Sequence, residues 1–486
     1  MKLNFESYKD KVYACWIGKN IGGTMGTPYE GRREMQDIKG FVTEKNVVLP
    51  NDDLDLQLIW LHAVETIGPY GLDAAKLGEF WLSFIGPCWN EYGIGKNNLM
   101  RGLPAPLSGD YDNSWRHSNG AWIRTEIWAS LAPACPDVAA KYAIEDAKVD
   151  HGSGEGTVAA AFVAAMESAA FAESDVRACI DIGLAHIPAE SRVAQSVRLA
   201  IDCYESGVEV REARNRILEQ NSDIGDGWFE SPSNVAYTVL GLLYGEGDFK
   251  RSMIYAINCG DDTDCTGATV GSMLGILGGT SGIPSDWSGY IGDSIVTVSI
   301  IGGVIMRGVP GTCTELTERV ARQAPVMLIA NHADVELTDG GNDIPADIRE
   351  RLMSGEKTAQ ALASMTPYSF NFDMGCVHGV VSYDGAPDIA PFGEKKVRIH
   401  LSNNTVAYGN ILYYLNLRWL LPEGFTVEGG RDSIRLCNQN AHYEGVYDVE
   451  FTVRAGERVA PVNRLVLEVT ADGRSASAYA PVILLG

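Results

Sequence analysis

The chain is short of positive charge. It has 39 lysine and arginine residues against 63 aspartate and glutamate residues, which gives a formal net charge of −24 at pH 7. Proteins that bind nucleic acids hold the phosphates with clusters of Lys and Arg, and the sequence contains no such cluster. The composition therefore argues against nucleic acid as the main partner.

The sequence also lacks the marks of export and of membrane insertion. Charges are scattered through residues 1–20, which have no uninterrupted apolar core, so this stretch is not typical of a secretory signal. Two glycine-rich apolar runs, at 265–283 and 294–309, are short or interrupted by Gly and Pro and have no basic flanks. We predict that these runs are buried helices, and we expect a cytoplasmic protein with no membrane partner.

Paired cysteines are missing as well. The 10 cysteines are dispersed, and no two of them form a C-x-x-C pair. A disulfide framework and a structural zinc site are therefore not indicated. We expect the cysteines to be small core residues in reducing surroundings.

What is present is an ordinary globular composition whose pattern changes once along the chain. The 486 residues are 45% hydrophobic, which suggests two domains, each with its own core. Apolar residues recur at helical spacing from 1 to 325, as in LQLIWLHAVETI at 56–67, so we predict an all-helical domain there. Residues 326–365 are polar and contain turn-forming residues, and we predict a connecting segment with one short helix.

From residue 366 to 486 the apolar pattern has a period of two. This alternation predicts an antiparallel, immunoglobulin-like β-sandwich. Such a domain could cover a cleft, form a homodimer or bind a carbohydrate, and the lack of an assignable cluster of surface aromatic residues favours the first two. The alternating segments are 395–402, 415–422, 447–457 and 463–474.

A glycine-rich stretch near the N-terminus, GKNIGGTMGTPYEGR at 18–32, is the first candidate for function. Closely spaced glycines let a backbone approach a ligand. They also permit close helix packing before a turn, and by itself this stretch favours the packing interpretation.

Carboxylates are crowded at the start of two apolar segments. Asn51, Asp52 and Asp53 precede one such segment, and Asp262 and Asp264 precede a run with small residues at every fourth position. Helix capping explains one acidic residue at a helix start. Its recurrence as pairs on two buried helices of one domain instead predicts four converging carboxylates around hard divalent cations, Mg²⁺ or Mn²⁺ rather than Zn²⁺, in a two-metal centre.

These motifs together resemble the ADP-ribosylglycohydrolase family, which includes the dinitrogenase-reductase-activating glycohydrolases. The resemblance spans most of residues 10–310, and the order and spacing of the motifs carry it. It implies an all-helical fold of the orthogonal-bundle type with two magnesium or manganese ions. The motifs are the glycine stretch ending in Glu30, NDD at 51–53, SNGAWIR at 118–124, DHGSGEG at 150–156, CGDDTDCTGATVGSMLGILGG at 259–279 and IPSDW at 283–287.

Residue by residue, the resemblance assigns roles at the site. It implies that Glu30 lies beside the metals, and that Asp261, which replaces a glycine, is not a ligand. Glu30, Asp53 and Asp262 are the expected catalytic residues. His151 is an expected substrate contact or, alternatively, a cap of the helix that follows it. The implied metal ligands are Asn51, Asp52, Asp53, Asp262, Asp264 and Cys265, and the implied substrate contacts are Ser118, Asn119, Gly120 and His151.

Three positions depart from the pattern of the family. Asn51 and Cys265 replace threonines that donate oxygen to metal, and Gly23 replaces an aspartate. An Asn carbonyl is a plausible ligand for a hard ion. A thiol is a soft ligand that Mg²⁺ disfavours, so Cys265 is expected to weaken one metal site or to shift its preference towards Mn²⁺ or Zn²⁺.

The resemblance implies a metal-dependent hydrolase that cleaves at ribose C1 of an ADP-ribosylated or related small or protein-linked ribosyl substrate. Two ions would hold the vicinal ribose hydroxyls and activate a water, while Glu30 or Asp53 acts as a base or steadies the developing positive charge. Two alternatives remain. The chain could be a weakened protein that binds an ADP-ribose-like ligand, or a structural, crystallin-like member.

Overall fold

The computed structural model of the protein describes residues 1–300, 308–403, 411–438 and 444–486. The chain divides into two compact units, one formed by Met1–Lys96 with Asn113–Met365 and the other by Asn97–Asp112 with Thr366–Gly486. The first unit is helical and the second is built mainly of antiparallel strands, which confirms the predicted fold class. The domain boundaries at residues 325 and 365 stay predictions.

Helices follow one another through the first unit, and the predicted helical segments are among them. A short parallel pair of strands, β1 (Lys2–Asn4) and β2 (Glu336–Thr338), joins residues from the two ends of this unit. The helices of the described chain are α1 Phe5–Gly26, α2 Asp52–Ile67, α3 Ala74–Phe84, α4 Asn90–Arg101, α5 Leu107–Asp110, α6 Glu126–Leu131, α7 Pro136–Ala147, α8 Glu155–Ala169, α9 Val176–Ala185, α10 Arg192–Glu205, α11 Val210–Gln220, α12 Ser231–Gly245, α13 Phe249–Asn258, α14 Thr263–Gly282, α15 Ser285–Ile291, α16 Cys313–Ala330, α17 Ile348–Leu352 and α18 Glu356–Ala363.

Two glycine-rich helices, α1 and α14, pack directly against each other in the core of the helical unit. A Cβ atom at Gly18 would overlap the backbone of Gly271, and one at Gly22 would overlap the backbone of Gly267. Glycine removes the side chains that would otherwise hold the two helices apart. The packing interpretation of the glycine stretch is therefore correct for these positions.

The apolar run at 265–283 lies almost entirely in α14, whose residues up to Ile276 are buried, as predicted. The second apolar run differs from its prediction, because residues 292–300 are irregular rather than helical, and residues 301–307 lie outside the described part of the chain. None of the helices in the described ranges combines the length and apolar character needed to cross a bilayer.

The second unit is a β-sandwich. One sheet has the strand order β11-β10-β6-β8 and the other has the order β3-β4-β5-β9-β7. Inward-facing residues of both sheets form one apolar core, which also takes in Leu103 and Leu107. The four alternating segments correspond to β5, β6, β9 and β10. The strands are β3 Ser369–Asp373, β4 Val377–Tyr383, β5 Glu394–Asn403, β6 Tyr413–Leu420, β7 Thr426–Gly429, β8 Ser433–Leu436, β9 Val446–Arg454, β10 Val462–Ala471 and β11 Ser477–Leu485.

Candidate metal centre

The N-termini of α2 and α14 bring the two acidic motifs together. The amide Nδ2 of Asn51 lies 3.3 Å from Asp264 Oδ2 and donates to it. The Cys265 thiol donates to Asp53 Oδ1 over 3.3 Å. Residues more than 200 positions apart in the chain therefore meet at one point.

Two sets of side chains at this point could each hold a metal ion. The first consists of Asp53, Asp264 and Cys265, and the second of Glu30, Asp262 and Asp264. Within each set the candidate ligand atoms all lie within 4.8 Å of one another. Asp264 belongs to both sets, so it could bridge two neighbouring ions.

Unpartnered carboxylate oxygens show that this cluster fits a cation. Asp53 Oδ2, Asp262 Oδ1 and Asp264 Oδ1 are buried and have no hydrogen-bond partner among the described residues. Their residues are 1%, 4% and 5% exposed. A buried carboxylate oxygen without a donor is costly, and a hard divalent ion supplies what is missing. The donor set is mostly oxygen, which suits Mg²⁺ or Mn²⁺.

The pKa values of the cluster respond to the same crowding of negative charge. The charge of Asp264, followed by burial of the carboxyl group and the charge of Asp52, raises the pKa of Glu30 to about 8. Burial is the main cause that raises the pKa values of Asp52, Asp53, Asp262 and Asp264. Protons and divalent cations therefore compete for this cluster.

Asn51 caps α2 and fills the space that Gly23 leaves. Its Oδ1 accepts from the backbone N–H of Asp53 over 2.8 Å, so capping and metal ligation compete for this oxygen. A Cβ atom at Gly23 would lie 2.5 Å from Asn51 Nδ2. The two departures from the family pattern are thus spatially coupled, since the side chain at 51 occupies the space that a side chain at 23 would need.

Asp52 is held by Tyr92, a residue that the sequence analysis missed. The Tyr92 hydroxyl donates to Asp52 Oδ2 over 2.8 Å. Tyr92 lies on α4, outside the motifs that the sequence analysis identified. Asp52 belongs to neither ligand set, but it lines the cavity beside them.

Lys19 is a second missed residue, a cation buried on α1 behind the cluster. Its Nζ lies 2.6 Å from Glu126 Oε1 and 3.9 Å from Asp53 Oδ2. Lys19 lowers the pKa of Asp53 against the dominant effect of burial. A lysine within the apolar glycine helix was the available signal, because a buried lysine requires a carboxylate partner.

The loop at 118–120 forms another wall of the cavity. Asn119 Nδ2 donates to Asp262 Oδ2 over 2.6 Å, and Asn119 Oδ1 accepts from Trp122 Nε1 over 2.9 Å. Ser118 and Gly120 also line the cavity, as does Asn119. Asn119 therefore orients one of the candidate metal ligands as well as facing the space a substrate would occupy.

His151 lies behind this loop and does not line the cavity. Its Nε2 is 3.3 Å from the Ser118 hydroxyl, and its Nδ1 is 2.9 Å from Asp150 Oδ1. It does not cap α8 either, because the backbone N–H of Glu155 donates to His117 Nδ1. The structure places His151 where it can position Ser118.

Asp261 has a structural position next to the cluster. Its φ of 63° is in the left-handed region, which agrees with a site where glycine is expected. Its carboxylate accepts from Asn234 Nδ2 over 3.0 Å and from the backbone N–H of Phe229. Asp261 belongs to neither ligand set, and the expectation that it is not a ligand stays a prediction.

The cavity at the cluster has a volume of about 370 Å³. A helical unit with paired carboxylates at two helix starts, facing such a cavity, defines a candidate metal-dependent enzyme. The model of the ADP-ribosylglycohydrolase family matches residues 4–326, and the chain belongs to this family.

The chain is less similar to the solved structures than to the family model. A chain described as an ADP-ribosylglycohydrolase-related protein complex is 18% identical, with a TM-score of 0.40, over 67% of this chain and 99% of that one. A FixG-related protein from Vibrio parahaemolyticus is 11% identical, with a TM-score of 0.19, over 23% of this chain and 95% of that one. No curated protein matches the chain significantly by sequence.

Proposed function

We propose that the protein is a metal-dependent hydrolase that cleaves the glycosidic bond at ribose C1 of an ADP-ribosylated or related ribosylated compound through a binuclear Mg²⁺ or Mn²⁺ centre. The observation that carries this proposal is the set of buried, unpartnered oxygens of Asp53, Asp262 and Asp264, because two of these residues, Asp262 and Asp264, line one cavity. Family membership supports hydrolysis of a glycosidic bond.

Asp53, Asp262 and Asp264 would be the main metal ligands. Glu30 and Cys265 would complete the two ligand sets. Bound there, the ions would hold the ribose hydroxyls and lower the pKa of the attacking water. Asn51 and Asp52 are additional candidate ligands from the sequence. The proposal includes a cytoplasmic location, and it is compatible with a homodimer.

Several neighbouring side chains orient the carboxylates of the cluster or favour their ionised form. Asn119 and Tyr92 fix the carboxylates of Asp262 and Asp52 through single hydrogen bonds. Lys19 favours the ionised form of Asp53, which is the form that binds metal. Glu30 lies beside Asp262 and Asp264, where its carboxylate would accept a proton from the attacking water, as a general base must.

A second candidate is a protein that binds the ligand without turnover, and the Cys265 thiol favours it. A neutral thiol in one ligand set weakens that set for Mg²⁺. A purely structural role is disfavoured, because it gives no reason to keep a costly cluster of buried carboxylates.

Replacing Asp262 tests the proposal. We expect Asp262→Ala to abolish hydrolysis of ADP-ribosyl and ribosyl compounds, to lower Mn²⁺ affinity and to leave the fold intact. The same change should raise the thermal stability of the metal-free protein, since it removes one of several repelling charges. Mn²⁺ titration by calorimetry, thermal unfolding and product analysis measure the three effects.

The control is Asp202→Ala, which removes an exposed carboxylate from α10 in the same unit. It should behave as wild type in every measurement. Wild-type turnover by Asp262→Ala at saturating metal would show that the assignment of the centre is wrong, while binding without turnover in the wild type would favour the second candidate.

A further inference from the structure

We propose that the helical unit has a second binding site, a small cavity that takes an inorganic oxyanion such as phosphate. The lining of this cavity includes Arg33, Arg214 and Glu230. The proposal stands on the size of the cavity, on its two guanidinium groups and on a buried carboxyl oxygen that has no partner. It goes beyond the proposed hydrolase activity and does not depend on it.

The size of the cavity selects a small ion. Its volume is about 140 Å³. Cavities that bind drug-sized organic molecules have volumes of about 300–1,000 Å³, so a nucleotide is too large for this one. A water molecule takes about 30 Å³ of liquid volume, so an ion with the few heavy atoms of phosphate has room.

Arg214, on α11, brings a fixed positive charge to the cavity. The residue is 5% exposed. Its Nε donates to the carbonyl oxygen of Cys259 over 3.0 Å, its Nη1 to Asn215 Oδ1 over 3.4 Å, and its Nη2 to the carbonyl oxygen of Arg33. All three acceptors are uncharged, so they hold the guanidinium in place without neutralising it. Two of its five N–H groups remain for a ligand.

Arg33 supplies the second guanidinium. Its central carbon lies 4.4 Å from the centroid of the Trp228 ring, and a Cβ atom at Gly227 would lie 3.0 Å from one of its terminal nitrogens. A guanidinium stacked on an aromatic face keeps its N–H groups at the edge, where they can bind an oxyanion. Two guanidinium groups that line one small cavity repel each other, and an anion between them removes this cost.

Glu230 gives the cavity a buried oxygen that needs a partner. The residue is 4% exposed, and its Oε1 accepts from the backbone N–H of Asp226 over 3.0 Å. Its Oε2 is buried and has no hydrogen-bond partner among the described residues. Burial raises the pKa of Glu230 to about 8, so the carboxyl group can keep its proton near neutral pH and donate it to a bound oxyanion.

The other carboxyl group of the lining, that of Asp261, already has its own donors. It accepts from Asn234 Nδ2 over 3.0 Å and from the backbone N–H of Phe229 over 3.2 Å. These bonds fix the carboxylate away from bidentate pairing with a guanidinium. Hydroxyl groups of two buried residues, Ser233 and Tyr237, complete the polar lining.

This small cavity and the cavity at the metal cluster are neighbours. Phe229 lines the larger cavity, while Gly227 and Glu230 line the smaller one. Likewise Asp262 faces the larger cavity and Asp261 the smaller one. Since an anion could also bind to metal ions at the cluster, a test of the small cavity must be made without metal.

The test is a calorimetric titration of the whole, metal-free chain with sodium phosphate at constant ionic strength. We expect a single phosphate to bind, and we expect Arg33→Gln to weaken its binding by about tenfold or more, because a charge-assisted contact is lost. Tyr237→Phe should weaken it by about threefold. Phosphate should also raise the Tm of the wild type by a few degrees and leave that of Arg33→Gln almost unchanged.

The matched control is Arg32→Gln, which removes a neighbouring exposed guanidinium that stacks on Tyr29 outside the lining of the small cavity. It should bind phosphate as the wild type does. Equal binding by a folded Arg33→Gln protein, or equal heats with sodium chloride, would overturn the proposal. So would binding that appears only after Mg²⁺ is added, because the anion would then lie on the metal ions, and so would no binding at all, because the cavity would then hold water only.

Discussion

Cys265 is the residue that most distinguishes this centre from the pattern of its family. The structure places its sulfur in a ligand set with Asp53 and Asp264. Burial, followed by the charges of Asp262 and Asp53, raises the pKa of the thiol well above its usual range. A thiol that keeps its proton and donates it to Asp53 is a poor ligand for Mg²⁺.

We therefore predict that Cys265→Thr raises Mg²⁺ affinity, by about tenfold, because it replaces a soft protonated donor with a hard oxygen of similar size. Calorimetric titration with Mg²⁺ and Mn²⁺ measures the effect. Cys376→Ser, in the β unit, should leave both affinities unchanged. Identical affinities and metal preference in the Cys265→Thr and wild-type proteins would show that the thiol takes no part in metal binding.

At the scale of elements, the packing of α1 against α14 sets the geometry of the centre. α1 leads to the loop that carries Glu30, and α14 carries Asp264 and Cys265 in its first turn. A Cβ atom at Gly26 would overlap the backbone at Asp264. Because the contact is backbone against backbone, no side-chain rotation can accommodate an added methyl group.

Gly22→Ala should therefore destabilise the helical unit by about 2–4 kcal/mol and weaken Mn²⁺ binding, since the two helices must move apart. Gly278→Ala is a matched control at an exposed position near the end of α14, where a Cβ atom would meet no atom within 4 Å. That control should raise stability slightly, by about 0.5–1 kcal/mol. Urea unfolding monitored by circular dichroism measures both, and equal stability of the two variants would contradict the packing account.

At the scale of the whole molecule, an acidic chain buries several carboxyl groups. Burial raises the pKa of Asp55 to about 7 and that of Glu230 to about 8. Glu30 also reaches about 8, mainly through the charge of Asp264. The folded state holds these protons at pH values where the unfolded chain has released them, so deprotonation works against folding.

The metal-free protein should thus lose stability as pH rises from about 6.5 to about 8, with a fall in Tm of a few degrees. Burial lowers the pKa of His117 to about 4, so this group makes the folded state more stable as pH rises towards 6.5. The loss of stability caused by the carboxyl groups is therefore best measured above pH 6.5. Mn²⁺ should raise Tm more at pH 8 than at pH 6.5, because the ion binds the deprotonated carboxylates. A Tm that rises with pH without metal, or a metal effect independent of pH, would contradict this prediction.

The sequence alone determined the properties that are local along the chain. The period of the apolar residues distinguished the helical unit from the β-sandwich, since a helix and a strand repeat at different intervals. The acidic pairs at the starts of α2 and α14 indicated where cations would be needed, because capping requires fewer charges. It did not indicate that residues 292–300 would be irregular, since an apolar run by itself has no single conformation.

Only the tertiary structure decided which side chains share the cavity. Tyr92 and Glu91 lie on α4 and Lys19 lies on α1, and packing of these helices brings the three side chains beside the carboxylates. Packing also puts His151 behind Ser118 rather than in the cavity wall. Contacts between residues tens or hundreds of positions apart depend on how helices approach one another. The glycine pattern indicates that a helix can pack closely, but only the tertiary structure shows which helix it meets and at which residues.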